Sequence, residues 1–317
     1  MRMLVMGAGA LGSVVGGLMA KAGHAVTLVG RAAHMDAIAR GGLRITGIWG
    51  QHHVTGIATR TDASGLRAGE FDVIIISVKS YDTRAAAETI APLLDDDTLV
   101  LSYQNGLGNA EIVAEYVGWP RTIGARAIYG AWIPEPGRVD VTVIASPTAI
   151  GTYHEATPTE RVHDIVRAMD NAGAPTVYTG DIRKVLWAKV AYNCALNPLS
   201  ALLDVPYGVV GERSESRAIL EAAVRELYDV ARAKGIALEP DTAEAYLRHF
   251  FAGLLPPTAQ HYASMREDFR RKRRTEIDAL NGAICRYGAE TGVRTPVNDA
   301  LTRLVKTVEA NYLSDRK

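Results

Sequence analysis

A short apolar strand that runs straight into spaced glycines leaves this chain few folds to choose from. Leu4 to Met6 read as that strand. Gly7, Gly9 and Gly12 follow with G-x-G-x-x-G spacing, and Leu11 to Ala22 read as a small-residue helix closed by Gly23. The next stretch, HAVTLVG, reads as a second strand. Strand, glycine turn, helix and strand in that order turn a weak motif into a strong one. One glycine permits the tight turn, one lets the backbone approach a pyrophosphate, and one lets helix and strand pack closely. The helix N-terminus then offers free N–H groups and a favourable dipole to an anion. Gly7, Ala8, Gly9, Ala10, Leu11 and Gly12 are therefore predicted to cradle a dinucleotide pyrophosphate. The same stretch starts with a positive charge and an apolar run, as a secretory leader does. Its density of glycine favours the strand–turn–helix reading.

The end of the second strand bears on which dinucleotide. An NAD site places Asp or Glu there to hold the ribose 2′-hydroxyl. Here the strand ends Val29-Gly30-Arg31, and the first acid afterwards is Asp36. Arg31 offers a planar, permanently charged fork to a 2′-phosphate, which points to NADP(H). A surface arginine in a turn is the competing reading.

Strand–helix alternation continues through the N-terminal half. DVIIISVKS is a buried strand of the parallel-sheet type that delivers Lys79 at its carboxyl end, and TLVLSYQNGLGN delivers Asn105 in a turn. Ligands of open α/β sheets bind off the carboxyl ends of strands, so Gly7–Gly12, Arg31, Lys79 and Asn105 should crowd one edge. Residues 123–151 read as strands around a Pro-Glu-Pro-Gly turn, followed by a helix (Glu160 to Ala172) and a last strand (Thr176 to Tyr178). From Ile182 the pattern is helical almost to the end. At 317 residues the chain is too long for one ordinary core. The expectation is an α/β fold: a Rossmann-type dinucleotide-binding domain over residues 1–179 and an all-α domain for substrate and dimerisation over residues 180–317.

Lys+Arg and Asp+Glu balance at 35 each, which argues against a nucleic-acid binder. No segment is long and apolar enough to span a membrane. Cys194 and Cys285 have no metal-ligand spacing and read as reduced thiols of a cytoplasmic protein. His52 and His53 would point opposite ways on a strand, so no metal site is expected. The common C₂ dimer is the expected assembly.

The helical half holds LWAKVAYNCALNP, residues 186–198, in which Lys189, Asn193 and Asn197 recur every fourth position. Four helical residues return to within about 40° of the start, so the three side chains share one stripe of an otherwise apolar helix. A lysine snorkelling to water beside two helix-end asparagines is the plainer reading. Pro198 disfavours helix at Asn197, so a helix end or kink is expected there. Residues 270–274, RRKRR, resemble a nucleic-acid patch, but acids on both sides favour a solvated, partly paired face. Thr275 looks like an N-cap with Asp278 three residues on, which puts Glu276 in a first helical turn.

Taken together and in order, G-A-G-A-L-G, S-V-K-S, Q-N-G-L-G, L-W-A-K-V-A-Y-N-C-A-L-N-P and R-T-E-I-D-A-L-N-G resemble the ketopantoate reductase family over essentially the whole chain. The resemblance implies a Rossmann domain, a helical domain and a cleft between them. It also implies NADPH-dependent reduction of ketopantoate (2-dehydropantoate) to pantoate, on the route to coenzyme A. By motif, it implies catalytic roles for Lys189, the proton donor, and Glu276. Asn193, Asn197 and Ser264 would hold the substrate, Asn105 would touch substrate and cofactor, and Lys79 and Glu276 would help bind NADP(H). Two positions depart from the pattern: Tyr207 and His261 stand where family members often carry Asn. These departures leave open another branched or aromatic 2-oxo acid as substrate. A reading of a different class, a non-catalytic NADP(H) sensor or scaffold, gives no reason for a proton donor.

Overall fold

Buried runs of β-branched residues build the first half of the molecule. The computed structural model describes residues 1–314. The chain divides into two units: Met1–Asn105 with Asn109–Ile182, and Gly106–Gly108 with the chain from Arg183 onward.

In the first unit, among the described residues, ten strands form one sheet. They are β1 (Arg2–Met6), β2 (Ala25–Val29), β3 (Leu43–Gly47), β4 (His52–Val54), β5 (Ala58–Arg60), β6 (Val73–Ile76), β7 (Leu99–Ser102), β8 (Thr122–Trp132), β9 (Arg138–Thr152) and β10 (Thr176–Tyr178). Their order is β4-β3-β9-β8-β7-β6-β1-β2-β5, with β10 beside β9. The run β8-β7-β6-β1-β2-β5 is parallel throughout. The chain leaves β1 for β2 on one side and returns as β6 on the other. The carboxyl ends of β1 and β6 thus flank the point where strand order reverses, which is where such sheets bind ligands. The all-buried VIII of β6 fits a strand covered on both faces. β8 and β9 pair antiparallel across Pro134–Gly137, as the sequence predicts.

The short strands β3 to β5 carry little periodicity and are not evident in the sequence. β3 becomes a strand by pairing with a distant partner, Ile45 opposite Val139. Five helices accompany the sheet: α1 (Ala10–Lys21), α2 (Ala32–Gly41), α3 (Thr83–Ile90), α4 (Asn109–Val117) and α5 (Thr159–Asn171). α1 is wedged between β2 and β3. A side chain at Gly16 would come within 2.5 Å of Leu28 Cδ2, and one at Gly17 within 2.6 Å of Leu43 Cδ2. Cover on two sides explains its apolar, leader-like composition.

The second unit is helical: α6 (Ile182–Leu203), α7 (Tyr207–Glu212), α8 (Ser214–Ala233), α9 (Ala243–His249), α10 (Ser264–Arg270), α11 (Asn281–Thr291) and α12 (Pro296–Leu313), with short 3₁₀ and π turns between them. Buried Leu220, Ala223, Val224, Leu227 and Ala231 recur at helical spacing and turn one face of α8 to the core. The Glu226 carboxylate accepts from the N–H groups of Val297 and Asn298 at 2.8 and 2.9 Å and caps α12, which opens on Pro296.

Two sequence expectations change here. Of the helix end or kink expected at Asn197, the end does not occur: α6 runs on through Pro198 to Leu203. A proline inside a helix strips a hydrogen bond from the carbonyl four residues earlier. That carbonyl belongs to Cys194, and Asn281 Nδ2 donates to it at 3.3 Å. A side chain 87 residues away thus supplies the missing donor. Thr275 also does not open an α-helix. Its hydroxyl accepts from the Ile277 N–H at 3.3 Å and starts a 3₁₀ turn, Ile277–Ala279, with Glu276 just before it. α11 begins only at Asn281.

The basic run is largely paired. Arg273 reaches Asp268 at 2.7 Å and Arg274 reaches Asp278 at 3.2 Å, with longer approaches of Arg270 to Asp204 and Arg271 to Glu267. Among the described residues, no helix is long and apolar enough to cross a membrane, and no cluster of three or more His, Cys, Asp or Glu could hold a metal ion.

Candidate active site

The glycines after β1 divide the three tasks between them. Gly7 has φ +99°, and a Cβ there would lie 2.6 Å from the Val78 backbone nitrogen. It makes the turn and lets the loop after β6 come close. A Cβ on Gly12 would lie 2.6 Å from the Gly7 carbonyl oxygen and 3.0 Å from Val5 Cγ1, so Gly12 sets α1 tight on β1. At Gly9 the nearest such atom is the Gly7 oxygen at 4.0 Å. Gly9 is the N-cap of α1, and the first turn of α1 carries no acid. A bare backbone, open space and an uncompensated helix N-terminus suit a pyrophosphate.

The other candidates of this unit lie along the same sheet edge. Arg31 is exposed and stands at the start of α2, two residues past the end of β2, without a capping bond from its side chain. Lys79 lies past the end of β6, just before the 3₁₀ turn Ser80–Asp82. Asn105 lies past β7, and its carbonyl accepts from Asn109 Nδ2 at 2.8 Å.

Behind this edge sits a pair that the sequence does not single out. His34 is 6% exposed, and its Nδ1 accepts from the Gly137 N–H at 3.0 Å. The ring proton is therefore on Nε2, 3.0 Å from Ser13 Oγ, and Ser13 Oγ donates to the Ala8 carbonyl at 3.3 Å. The partners are 21 and 103 residues apart, so no local pattern marks them. Burial, and then the Arg31 charge, hold the His34 imidazole below the usual histidine range. A second ring proton would also break the bond from Gly137. The unfolded chain then binds more protons than the native one as pH falls through the ordinary histidine pKa, about 6.5, so stability drops on acidification. The melting temperature should accordingly fall between about pH 7 and pH 5.5. His34→Gln should flatten that slope in thermal melts; an unchanged slope would remove His34 as a source.

In the second unit, α6 carries Lys189 and Asn193 half-buried and Asn197 buried, on one stripe. Ser264 is exposed and opens α10. The preceding residue is tied to α6, since the Ala263 N–H donates to Ser200 Oγ at 3.3 Å. Ser200 lies one turn beyond Asn197. Glu276 is half-buried. Its neighbouring 3₁₀ turn receives the segment after Asn105, with the Leu107 N–H donating to the Ala279 carbonyl at 2.8 Å.

The Ketopantoate reductase PanE/ApbA family model matches residues 3–155, and its C-terminal counterpart matches residues 181–309. The chain belongs to the ketopantoate reductase family. The 2-dehydropantoate 2-reductase of Aquifex aeolicus is 36% identical over 99% of both chains. Among solved structures, a ketopantoate reductase of this family from Ralstonia eutropha superposes with a TM-score of 0.87 at 31% identity, covering 99% of this chain and 100% of that one. D-mandelate dehydrogenase, solved with NADH and anilino(oxo)acetate, reaches 0.87 at 26% identity over 98% of this chain and 99% of its own.

Tyr207 and His261, which the resemblance marks as departures from the pattern of the ketopantoate reductase family, are joined. The Tyr207 N–H donates to the His261 carbonyl at 2.9 Å, and their rings pack edge to face, 5.4 Å between centroids. The buried Tyr207 hydroxyl donates to Asn197 Oδ1 at 2.6 Å. Burial, reinforced by Tyr192, pushes the Tyr207 phenol far above its ordinary range, so it stays a donor. With its oxygen so engaged, Asn197 keeps its NH₂ for other partners. Desolvation against this cluster lowers the His261 imidazole, although the residue as a whole stays exposed.

Proposed function

We propose that this protein reduces 2-dehydropantoate to pantoate with NADPH. The observation that carries the reading is its similarity, over 99% of its length, to a protein named 2-dehydropantoate 2-reductase. The glycine loop fits the dinucleotide: Gly9 leaves open the space that a side chain would fill. Gly7 to Gly12 hold its pyrophosphate, Arg31 its 2′-phosphate, and Lys79, Asn105 and Glu276 further parts of NADP(H). NADPH when bound supplies the hydride. Lys189 donates the proton to the carbonyl oxygen, and its ammonium charge stabilises the developing alkoxide. Asn193 and Asn197 donate to substrate oxygens without adding a competing charge. Ser264 takes the carboxylate, and Glu276 holds ligands in the reacting arrangement. The helical domain, expected from the sequence over residues 180–317, is the substrate-holding part and pairs as a homodimer, and the protein works in the cytoplasm without nucleic-acid or membrane partners.

Steady-state NADPH oxidation over a panel of 2-oxo acids tests the reading. Ketopantoate should show a higher kcat/KM than 3,3-dimethyl-2-oxobutanoate, which lacks its hydroxyl. A site built to hydrogen-bond a hydroxyl strongly rejects an analogue that leaves its polar groups unpaired. A second reading, an aromatic 2-oxo acid, draws support from the Tyr207–His261 cluster against Asn197 and from the likeness to D-mandelate dehydrogenase. A clear preference for phenylglyoxylate would establish it in place of the first. No turnover of any 2-oxo acid would leave a nucleotide-binding sensor.

Arg31 yields a separate expectation. NADPH should bind at least ~10-fold more tightly than NADH, about 1.4 kcal/mol, and Arg31→Ala should erase most of the difference. Equal affinities for the two nucleotides in the unmodified protein would exclude Arg31 from the site.

A further inference from the structure

Three buried polar side chains lie between the loop that carries Lys79 and the loop that carries Asn105. Thr83 is fully buried, Asn109 is 4% exposed and Gln104 is 7% exposed. Gln104 Nε2 donates to the Val78 carbonyl at 3.0 Å and to Thr83 Oγ1 at 2.7 Å. The two amide protons of Gln104 are thereby both used. Asn109 Nδ2 donates to the Asn105 carbonyl at 2.8 Å, which turns its Oδ1 toward Thr83 Oγ1, 3.0 Å away. Thr83 Oγ1 also lies 2.8 Å from the Ser80 carbonyl, so its single proton serves two acceptors.

These contacts are aimed at particular places. The carbonyls of Val78 and Ser80 flank Lys79 on either side, and the third carbonyl is that of Asn105 itself. Thr83 is the first residue of α3 and Asn109 the first of α4, so the cluster also ties two helix starts together. A fold needs no such cluster to fill this space, because apolar side chains do that without the cost of burying polar groups. A fully connected buried network instead fixes one geometry.

We infer that Thr83, Gln104 and Asn109 are positioning residues that hold the Lys79 and Asn105 loops as one piece for the nucleotide and the 2-oxo acid. The inference rests on the reading of Lys79 and Asn105 as ligand-binding residues given above. None of the three touches a ligand in this scheme. Each acts through the backbone at Lys79 or Asn105, and the loss of one frees both loops.

The test is a double-mutant cycle between Thr83→Val and Lys79→Ala on the full-length protein. NADPH affinity is read by fluorescence titration, with kcat and KM for ketopantoate and thermal melts alongside. Thr83→Val keeps the shape and removes the hydroxyl. It should raise the NADPH Kd and the KM by ~10-fold each and change kcat by less than about threefold, since loops that are no longer held must be ordered as the ligand binds. Thr83→Ser should restore both constants. The double variant should fall at least about fivefold short of the product of the single effects on Kd, because both substitutions act on one contact. Gln104→Met, which removes the bonds to Val78 and Thr83, reads the same quantities should Thr83→Val fail to fold. A Thr83→Val protein with a lowered melting temperature but normal Kd and KM would reduce the cluster to a structural role. Strictly multiplicative effects would overturn the coupling to Lys79. If Lys79→Ala alone leaves NADPH affinity unchanged, the reading of Lys79 fails and the inference falls with it. If Lys79→Ala weakens binding and Thr83→Val does not, the inference alone falls.

Discussion

Lys189→Ala should lower kcat by ~100-fold or more while NADPH affinity stays nearly intact, because a positioned general acid contributes typically ~10²–10⁴-fold. The residue lies within α6, half-buried, on the stripe it shares with Asn193 and Asn197. Alanine is the best helix former, so the substitution should spare the helix. Lys189→Arg separates the two parts of the role. Arginine keeps the charge but holds its proton too tightly to donate it. A kcat as low as that of the alanine variant would assign the loss to proton transfer; partial recovery would assign the recovered part to charge. Glu276→Ala should behave differently and weaken ligand binding as well as turnover. Pre-steady-state NADPH oxidation with saturating substrate makes the comparison free of product release. A Lys189→Ala protein with near-normal kcat would remove Lys189 from the mechanism.

The second large effect is expected from Gly9 and Gly12, three residues apart in sequence but different in what surrounds them. Gly12→Ala should cost both stability and nucleotide affinity. Its Cβ would meet the Gly7 carbonyl oxygen at 2.6 Å, and Gly7 is itself backed against the Val78 backbone. Neither neighbour is a flexible side-chain end, so α1 must shift away from β1. Overpacking of this kind costs about 1–3 kcal/mol. A displaced helix N-terminus should raise the NADPH Kd by ~10-fold or more, about 1.4 kcal/mol. Gly9→Ala should do only the second of these. Beyond its chain neighbours, the described atom nearest its Cβ position is the Gly7 oxygen at 4.0 Å, so the melting temperature should hold. The added methyl would instead occupy the approach of the pyrophosphate. Thermal melts and NADPH titrations on both variants make the check. Normal NADPH affinity in Gly9→Ala would mean that the loop does not hold the pyrophosphate.

Local pattern carried much of this protein. Three glycines between a short strand and a small-residue helix determine the βαβ start, because each steric demand is met within a few residues. The four-residue spacing of Lys189, Asn193 and Asn197 needs only the helical period to become a stripe, and Lys79 and Asn105 follow from the ends of two apolar runs. Tertiary structure decided what depends on partners far along the chain. α6 passes Pro198 because Asn281 reaches the Cys194 carbonyl. β3 is a strand because β9 lies beside it, and His34 is buried where Ser13 and Gly137, both distant in the chain, meet its two ring nitrogens. The bond from Tyr207 to Asn197 joins α7 to α6, and the Thr83 cluster joins two loops through their backbones. A periodic face is written into neighbouring residues, since it depends on the geometry of one element alone. A lone hydrogen-bond donor carries no mark of its acceptor until packing excludes water and brings the two together.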